Sequence, residues 1–263
     1  MPARPKVLAT DLDGTLLRSD GSLSTRTRDA IAAAEDAGIP TMFVTGRPPR
    51  RLDGLADVVG GHGLAICGNG AFVYDVGARE VVAAHGHDDA LMASLVADLR
   101  SAVPGIVFAV ERADGMGREA DFVSADDKPD RRTIGSFDQI TTGPVGKLLA
   151  RLPGADHDDF MREVIAVVDG RAELAYSGVV GLAEMTPQGI TKASGLATWC
   201  DAQGIDAADV WACGDMPNDL PMLAWAGRSF AVGNAHADVL AAATHVLASN
   251  DDDGVAQLLE SIV

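Results

Sequence analysis

Short β-rich apolar runs alternate with helical periodicity at both ends of this chain, and that alternation leaves few folds open. Val7–Thr10, Thr41–Val44 and Leu64–Cys67 are apolar on both side-chain parities, the pattern of strands buried on two faces. Between the first two, Ser24 is placed to cap a helix reaching about Ala37, with Ala30, Ile31 and Ala34 on one face and Gly38 just past its end. Phe72–Tyr74 opens a hairpin. After Gln188 the alternation returns, with a helix from Thr191 to about Gln203, a strand at Val210–Cys213, and a short helix after Asn218. A strand at Phe230–Val232 and helices at Ala237–Ala243 and Gly254–Ile262 complete it. Strand–helix–strand units with short loops build a parallel sheet.

The middle of the chain reads differently. Leu91, Met92, Leu95, Val96 and Leu99 have helical spacing, and a strand follows at Ile106–Val110. Next is a polar, Asp- and Arg-rich stretch from Glu111 to Arg132, of which Asp126–Arg132 reads as a solvated face. A helix at Asp158–Val168 and strands at Ala172–Tyr176 and Leu182–Met185 come next. These elements have apolar faces of their own. The expected fold is therefore α/β: a Rossmann-like parallel sheet core with helices on both faces, made of residues 1–84 and 187–263. An α+β cap domain, residues 85–186, is inserted into it. His85-Gly86-His87 reads as a hinge between the two rather than a metal site.

The 263 residues are 47% hydrophobic and carry a formal net charge of −17, so the chain buries a core yet repels phosphate backbones and anionic membranes. Nucleic acid and membrane are thereby excluded as partners; oligomeric state is not legible. Cys67, Cys200 and Cys213 lie in apolar contexts and read as buried thiols in a reducing compartment. No apolar run reaches the roughly 18 residues of a membrane span, and no apolar leader precedes the first strand, so a cytoplasmic location is expected. Asp251-Asp252-Asp253 precedes the last helix, where acidic residues complement the helix dipole.

Open α/β sheets bind ligands beyond the carboxyl ends of their strands, and that is where the polar clusters fall. They are Asp11-Leu12-Asp13-Gly14-Thr15, Thr45-Gly46-Arg47 and Gly214-Asp215-Met216-Pro217-Asn218-Asp219. Lys192 opens a helix between the second and third, a place suited to a bound anion. Carboxylates gathered this closely call for a cation, and an oxygen-rich set suits Mg²⁺, which takes one or two carboxylates plus a substrate phosphate. A carboxylate about 4 Å from a phosphate dianion is repelled by about 8 kcal/mol at an effective dielectric of about 20. Mg²⁺ and the Lys192 ammonium reverse that sign. Asp11 can then attack phosphorus and form an aspartyl-phosphate, while Asp13 protonates the leaving oxygen and deprotonates the incoming water. Thr45 and Lys192 hold the phosphate oxygens.

These four motifs, in this order, resemble those of the haloacid dehalogenase superfamily. "ICGNGAFVYD", "MTPQGITKASGL", "AVGNAHADV" and "ASNDDDGVAQLL" are similar to segments of its Cof-type phosphatases, which carry a large α/β cap. One departure is Val232, where those proteins usually have Met. The resemblance implies a metal site of the Asp11 carboxylate, the Asp13 backbone carbonyl and the Asp215 carboxylate. It implies that Thr45, Gly46, Lys192 and Asn218 bind phosphate and that Asp219 supports the metal or Lys192 from behind. Arg47, Asn69 and Gly70 are candidates for substrate contacts. The implied activity is Mg²⁺-dependent hydrolysis of small phosphorylated metabolites, sugar phosphates or phosphorylated cofactors. A phosphomutase with the same chemistry, or a non-catalytic phosphometabolite-binding regulator, are the alternatives.

Overall fold

The chain folds into two sheets. The computed structural model describes residues 4–56, 58, 62–123, 132–176 and 178–263. Of the Asp- and Arg-rich stretch, residues 124–131 lie outside the described residues. In chain order the elements are β1 (Val7–Thr10), α1 (Thr25–Asp36), β2 (Thr41–Val44), β3 (Leu64–Cys67), β4 (Phe72–Asp75) and β5 (Glu80–Ala84). Then come α2 (Asp89–Ala102), β6 (Val107–Arg112), β7 (Gly115–Arg118), β8 (Arg132–Ile134), α3 (Phe137–Ile140), β9 (Val145–Arg151), α4 (His157–Val168), β10 (Ala172–Ala175) and β11 (Ala183–Pro187). The last third gives α5 (Lys192–Gln203), β12 (Val210–Gly214), α6 (Leu220–Trp225), β13 (Arg228–Ala231), α7 (Ala237–Ala242), β14 (His245–Val246) and α8 (Gly254–Glu260).

The first sheet has eight strands in the order β14-β13-β12-β1-β2-β3-β4-β5. The six from β14 to β3 are parallel, and the β4–β5 hairpin extends them antiparallel. Every residue of β1, β2 and β12 is buried, as their unbroken apolar runs require. Helices α1 and α8 pack together, as do α5, α6 and α7. Ser24 caps α1 by accepting the Thr27 N–H at 3.0 Å. The Asp251–Asp253 run directly precedes α8 and also makes contacts that the sequence did not show. Asp253 takes both Arg18 guanidinium bonds, at 3.2 and 2.8 Å, and Asp251 accepts the Ser19 N–H and hydroxyl, tying the β1 loop to the last helix.

The second sheet lies in sequence between β5 and α5, with strand order β10-β11-β9-β6-β7-β8. One face is covered by α2 and α4: Phe108, Val110, Leu148 and Met185 pack with Leu95, Leu99, Phe160 and Val164. Three of its strands, β7, β8 and β9, were not anticipated. Gly115–Arg118 and Arg132–Ile134 carry little apolar signal, and Lys147 interrupts the apolar run of β9. His87 is buried with its Nε2 3.1 Å from the Met185 carbonyl, consistent with a crossing point between the sheets. All three cysteines are buried and free. Among the described residues no helix is long and apolar enough to cross a membrane.

Gly70, in the turn between β3 and β4, shows how tightly the crossing is packed. Its φ is +100°, and a Cβ there would lie 2.1 Å from the Thr191 carbonyl oxygen at the start of α5. Gly70→Ala combines left-handed strain with a backbone clash and is expected to lower stability by about 2–4 kcal/mol in denaturant unfolding. A loss below about 1 kcal/mol would contradict this packing.

Candidate active site

Asp11, Thr45 and Asp215 each follow the carboxyl end of a strand, and those strands, β1, β2 and β12, are neighbours. Adjacent strands lie about 4.8 Å apart, so three loops distant in sequence converge on one spot. The Asp11 N–H donates to the Cys213 carbonyl at 3.0 Å, fixing the β1 loop against the end of β12. Gly14 makes the approach of the third loop possible: a Cβ there would lie 2.4 Å from Asp215 Oδ2. The neighbouring Thr15 hydroxyl donates to Asp215 Oδ1 at 2.7 Å.

Lys192 reaches the same spot from the first residue of α5, whose N-cap Thr191 accepts the Ser194 N–H. Its Nζ donates to Asp11 Oδ1 at 2.5 Å and to Asp219 Oδ1 at 2.6 Å, with only 1% of the side chain exposed. Its ammonium thus lies between two carboxylates. The other oxygen of Asp219 accepts the N–H groups of Asp215 and Met216, each at 3.0 Å. Asp219 thus holds Lys192 with one oxygen and the Asp215 loop with the other.

The charges do not balance. Asp11, Asp215 and Asp219 offer ligand oxygens within 4.8 Å of one another, all three are buried, and Lys192 is the cation bonded among them. Burial pushes the Asp11 carboxyl well above its usual range; Lys192 opposes this, while Asp219 and Asp215 add to it. Burial also takes Asp215 up to about 6, against the Thr15 hydrogen bond that favours its ionised form. Burial works against the Lys192 ammonium too, but Asp11 and Asp219 overcome it and raise its pKa above the ordinary lysine value. Counted as ionised, three carboxylates and one ammonium carry a formal excess of two negative charges, which burial drives toward protonation unless a cation answers it. The donor set is all oxygen, which fits a hard divalent cation.

A cavity of about 340 Å³ opens over this cluster, lined among others by Asp11, Asp13, Thr45, Gly46, Arg47 and Asn218. Asp13 is more exposed than Asp11 and accepts both guanidinium bonds of Arg47, at 2.7 and 2.5 Å. The Thr45 hydroxyl accepts the Arg47 N–H at 3.1 Å, which leaves its own proton to donate. Asn69, with a φ of 59°, is buried and accepts the Asn218 amide at 3.2 Å. Gly70 lies behind it, against Thr191. The sequence reading missed the roof. Glu111, Lys147 and Glu184 project from the second sheet, paired as Arg50–Glu111 at 2.7 Å and Lys147–Glu184. A charged residue at one parity of an otherwise apolar strand was the signal that could have found them.

Comparison with known proteins places the chain among phosphatases in sequence and fold. A 5-amino-6-(5-phospho-D-ribitylamino)uracil phosphatase of Bacillus subtilis is 30% identical over 99% of this chain and 98% of its own length. A pyridoxal phosphate phosphatase of Escherichia coli is 28% identical over 97% and 98%. The fold is similar to a solved phosphatase of the haloalkanoate superfamily from Bacteroides thetaiotaomicron, with a TM-score of 0.83, 22% identity and coverage of 99% and 96%. The sequence model of the haloacid dehalogenase-like hydrolases matches residues 8–259, from the first strand to the last helix, and the chain belongs to that family.

Proposed function

We propose that this hydrolase is a Mg²⁺-dependent phosphatase of small phosphate monoesters, working through a covalent aspartyl-phosphate on Asp11. The observation that carries this reading is the buried Asp11–Lys192–Asp219 triad beside Asp215, two negative charges short of neutrality and open to the cavity. The Asp11 and Asp215 carboxylates, with the Asp13 backbone carbonyl, would hold the metal. When bound, it supplies the positive charge that lets a carboxylate approach a phosphoryl group.

The chain's own groups divide the remaining work. Lys192, the Thr45 hydroxyl and the Asn218 amide donate to phosphoryl oxygens. Asp11 attacks phosphorus as the bond to the leaving oxygen breaks, and a proton from Asp13 makes that oxygen an alcohol. A water then attacks the aspartyl-phosphate, gives its proton to Asp13, and frees Asp11 and inorganic phosphate. Residues 1–84 and 187–263 act as the catalytic core and residues 85–186 as the cap that roofs the cavity. The two relatives are named for small phosphorylated compounds, pyridoxal phosphate and a phosphoribitylamino-uracil, which supports phosphorylated cofactors or sugar phosphates as the substrate class. The buried free thiols suit a reducing, cytoplasmic setting.

Two outcomes test this. Asp11→Asn is expected to reduce hydrolysis of an aryl phosphate in Mg²⁺ by a factor of about 10³ or more while the protein stays folded. Activity surviving that change would remove Asp11 as the nucleophile. Lys192→Met leaves three buried carboxylates without their ammonium. In chelator it is expected to lower unfolding stability by about 3–5 kcal/mol, a deficit that added Mg²⁺ narrows. A deficit unchanged by Mg²⁺ would argue against metal binding among these carboxylates.

A further inference from the structure

The second sheet turns a charged row toward the first. Glu111 and Lys147 are cross-strand partners on β6 and β9, and Glu184 stands on β11 next to β9. All three are buried. Two of them reach the loops that hold the phosphate-binding candidates. Lys147 pairs with Glu184 and also donates to the Gly46 carbonyl at 3.0 Å. Glu184 Oε2 accepts from Asn69 Nδ2 at 3.4 Å, and Asn69 Oδ1 accepts from Asn218 Nδ2 at 3.2 Å. The amide pair lies directly against the Thr45–Gly46 loop: a Cβ on Gly46 would be 3.0 Å from Asn69 Oδ1 and 3.7 Å from Asn218 Nδ2.

This chain has a direction that chemistry imposes. A carboxylate only accepts hydrogen bonds, so Asn69 must turn its NH₂ to Glu184. Its oxygen then faces Asn218, and Asn218 must turn its own NH₂ toward Asn69. Among the described residues the Asn69 bond is what fixes Asn218 in that sense, because its Oδ1 is buried without a hydrogen-bond partner. The amide can reverse only if Asn69 reverses with it and turns its NH₂ to that oxygen. Resting on the phosphatase reading above, we propose that Glu184 is a positioning residue for hydrolysis. Acting from the cap through Asn69, it sets the amide polarity of Asn218 so that an N–H, not an oxygen, meets the phosphoryl group. Lys147 anchors Glu184 to the Gly46 peptide, so the polarity is set only when the cap sheet is docked on the core. Glutamine at 184 keeps the shape but can donate to Asn69 Oδ1. The chain can then reverse, Asn69 donating to Asn218 Oδ1.

The test uses the full chain with Mg²⁺, orthophosphate as the probe, and an aryl phosphate and a sugar phosphate as substrates. Glu184→Gln is expected to raise the inhibition constant of orthophosphate about tenfold and to lower kcat by about the same factor on both esters, the worth of one well-placed hydrogen bond. In an Asn69→Ala background the same substitution is expected to add less than about twofold, because the connection is already cut. Should Glu184→Gln fold poorly, Asn69→Ala alone carries the test with the same rise. An orthophosphate constant within about twofold of wild type in both variants would overturn the proposal, as would an effect confined to the KM of one ester, which would make Glu184 a leaving-group contact. Wild-type protein that neither hydrolyses the esters nor binds orthophosphate would fail the phosphatase reading itself, whereas active wild type with unaffected variants fails only this inference.

Discussion

The ammonium of Lys192 holds this site together. It is buried between Asp11 and Asp219, and removing either carboxylate would leave a desolvated charge without its partner. A buried ion pair is a poor source of stability, because desolvating both partners offsets most of their attraction. Its value here is positional. Lys192 fixes one oxygen of Asp11, and Asp219 spends its second oxygen on the backbone of the Asp215 loop. A strand-end loop, a helix start and a second strand-end loop are therefore locked in one register by four charged groups. The imbalance of that set, not any single residue, is what points to a divalent cation.

The parallel sheet makes such a cluster attainable. β12, β1 and β2 are hydrogen-bonded neighbours, so their carboxyl ends deliver Asp215, Asp11 and Thr45 side by side. The helix carrying Lys192 immediately precedes β12 in sequence, and its first residue falls over the same edge. None of this needs long or irregular loops. The close approach of the β1 loop to Asp215 is met at Gly14 by the residue that lacks a Cβ.

That economy explains what could be read from the sequence. Core strands such as Val7–Thr10 are apolar on both parities because helices cover both sides, and their ends are marked by abrupt polar clusters. Asp11, Asp13, Thr45, Lys192, Asp215 and Asp219 stood out on chemistry and position alone, and the structure brings them together. β7, β8 and β9 did not stand out. β9 meets α2 and α4 on one face and the polar mouth of the core on the other, while β7 and β8 pack against the short α3, so their composition is mixed. Pairings such as Glu111 with Lys147 join residues distant in sequence, and no local pattern reports them. The Arg47–Asp13 pair was equally hidden, since nothing in "TGR" says which carboxylate the guanidinium will meet.

The two halves of the site also differ in what they demand of charge. Around Asp11 the excess is negative and calls for a cation. On the roof, Arg50 answers Glu111 and Lys147 answers Glu184, so that face is balanced once the sheets are docked. Separating the sheets would return Glu111, Lys147 and Glu184 to water, where their hydration replaces the partners they lose. Docking therefore changes little in net electrostatic energy, yet it decides whether the Gly46 carbonyl and the Asn69–Asn218 amides have their partners. The charged contacts of the roof therefore matter less for how tightly the two sheets hold than for where they place the Gly46 carbonyl and the Asn69–Asn218 amides.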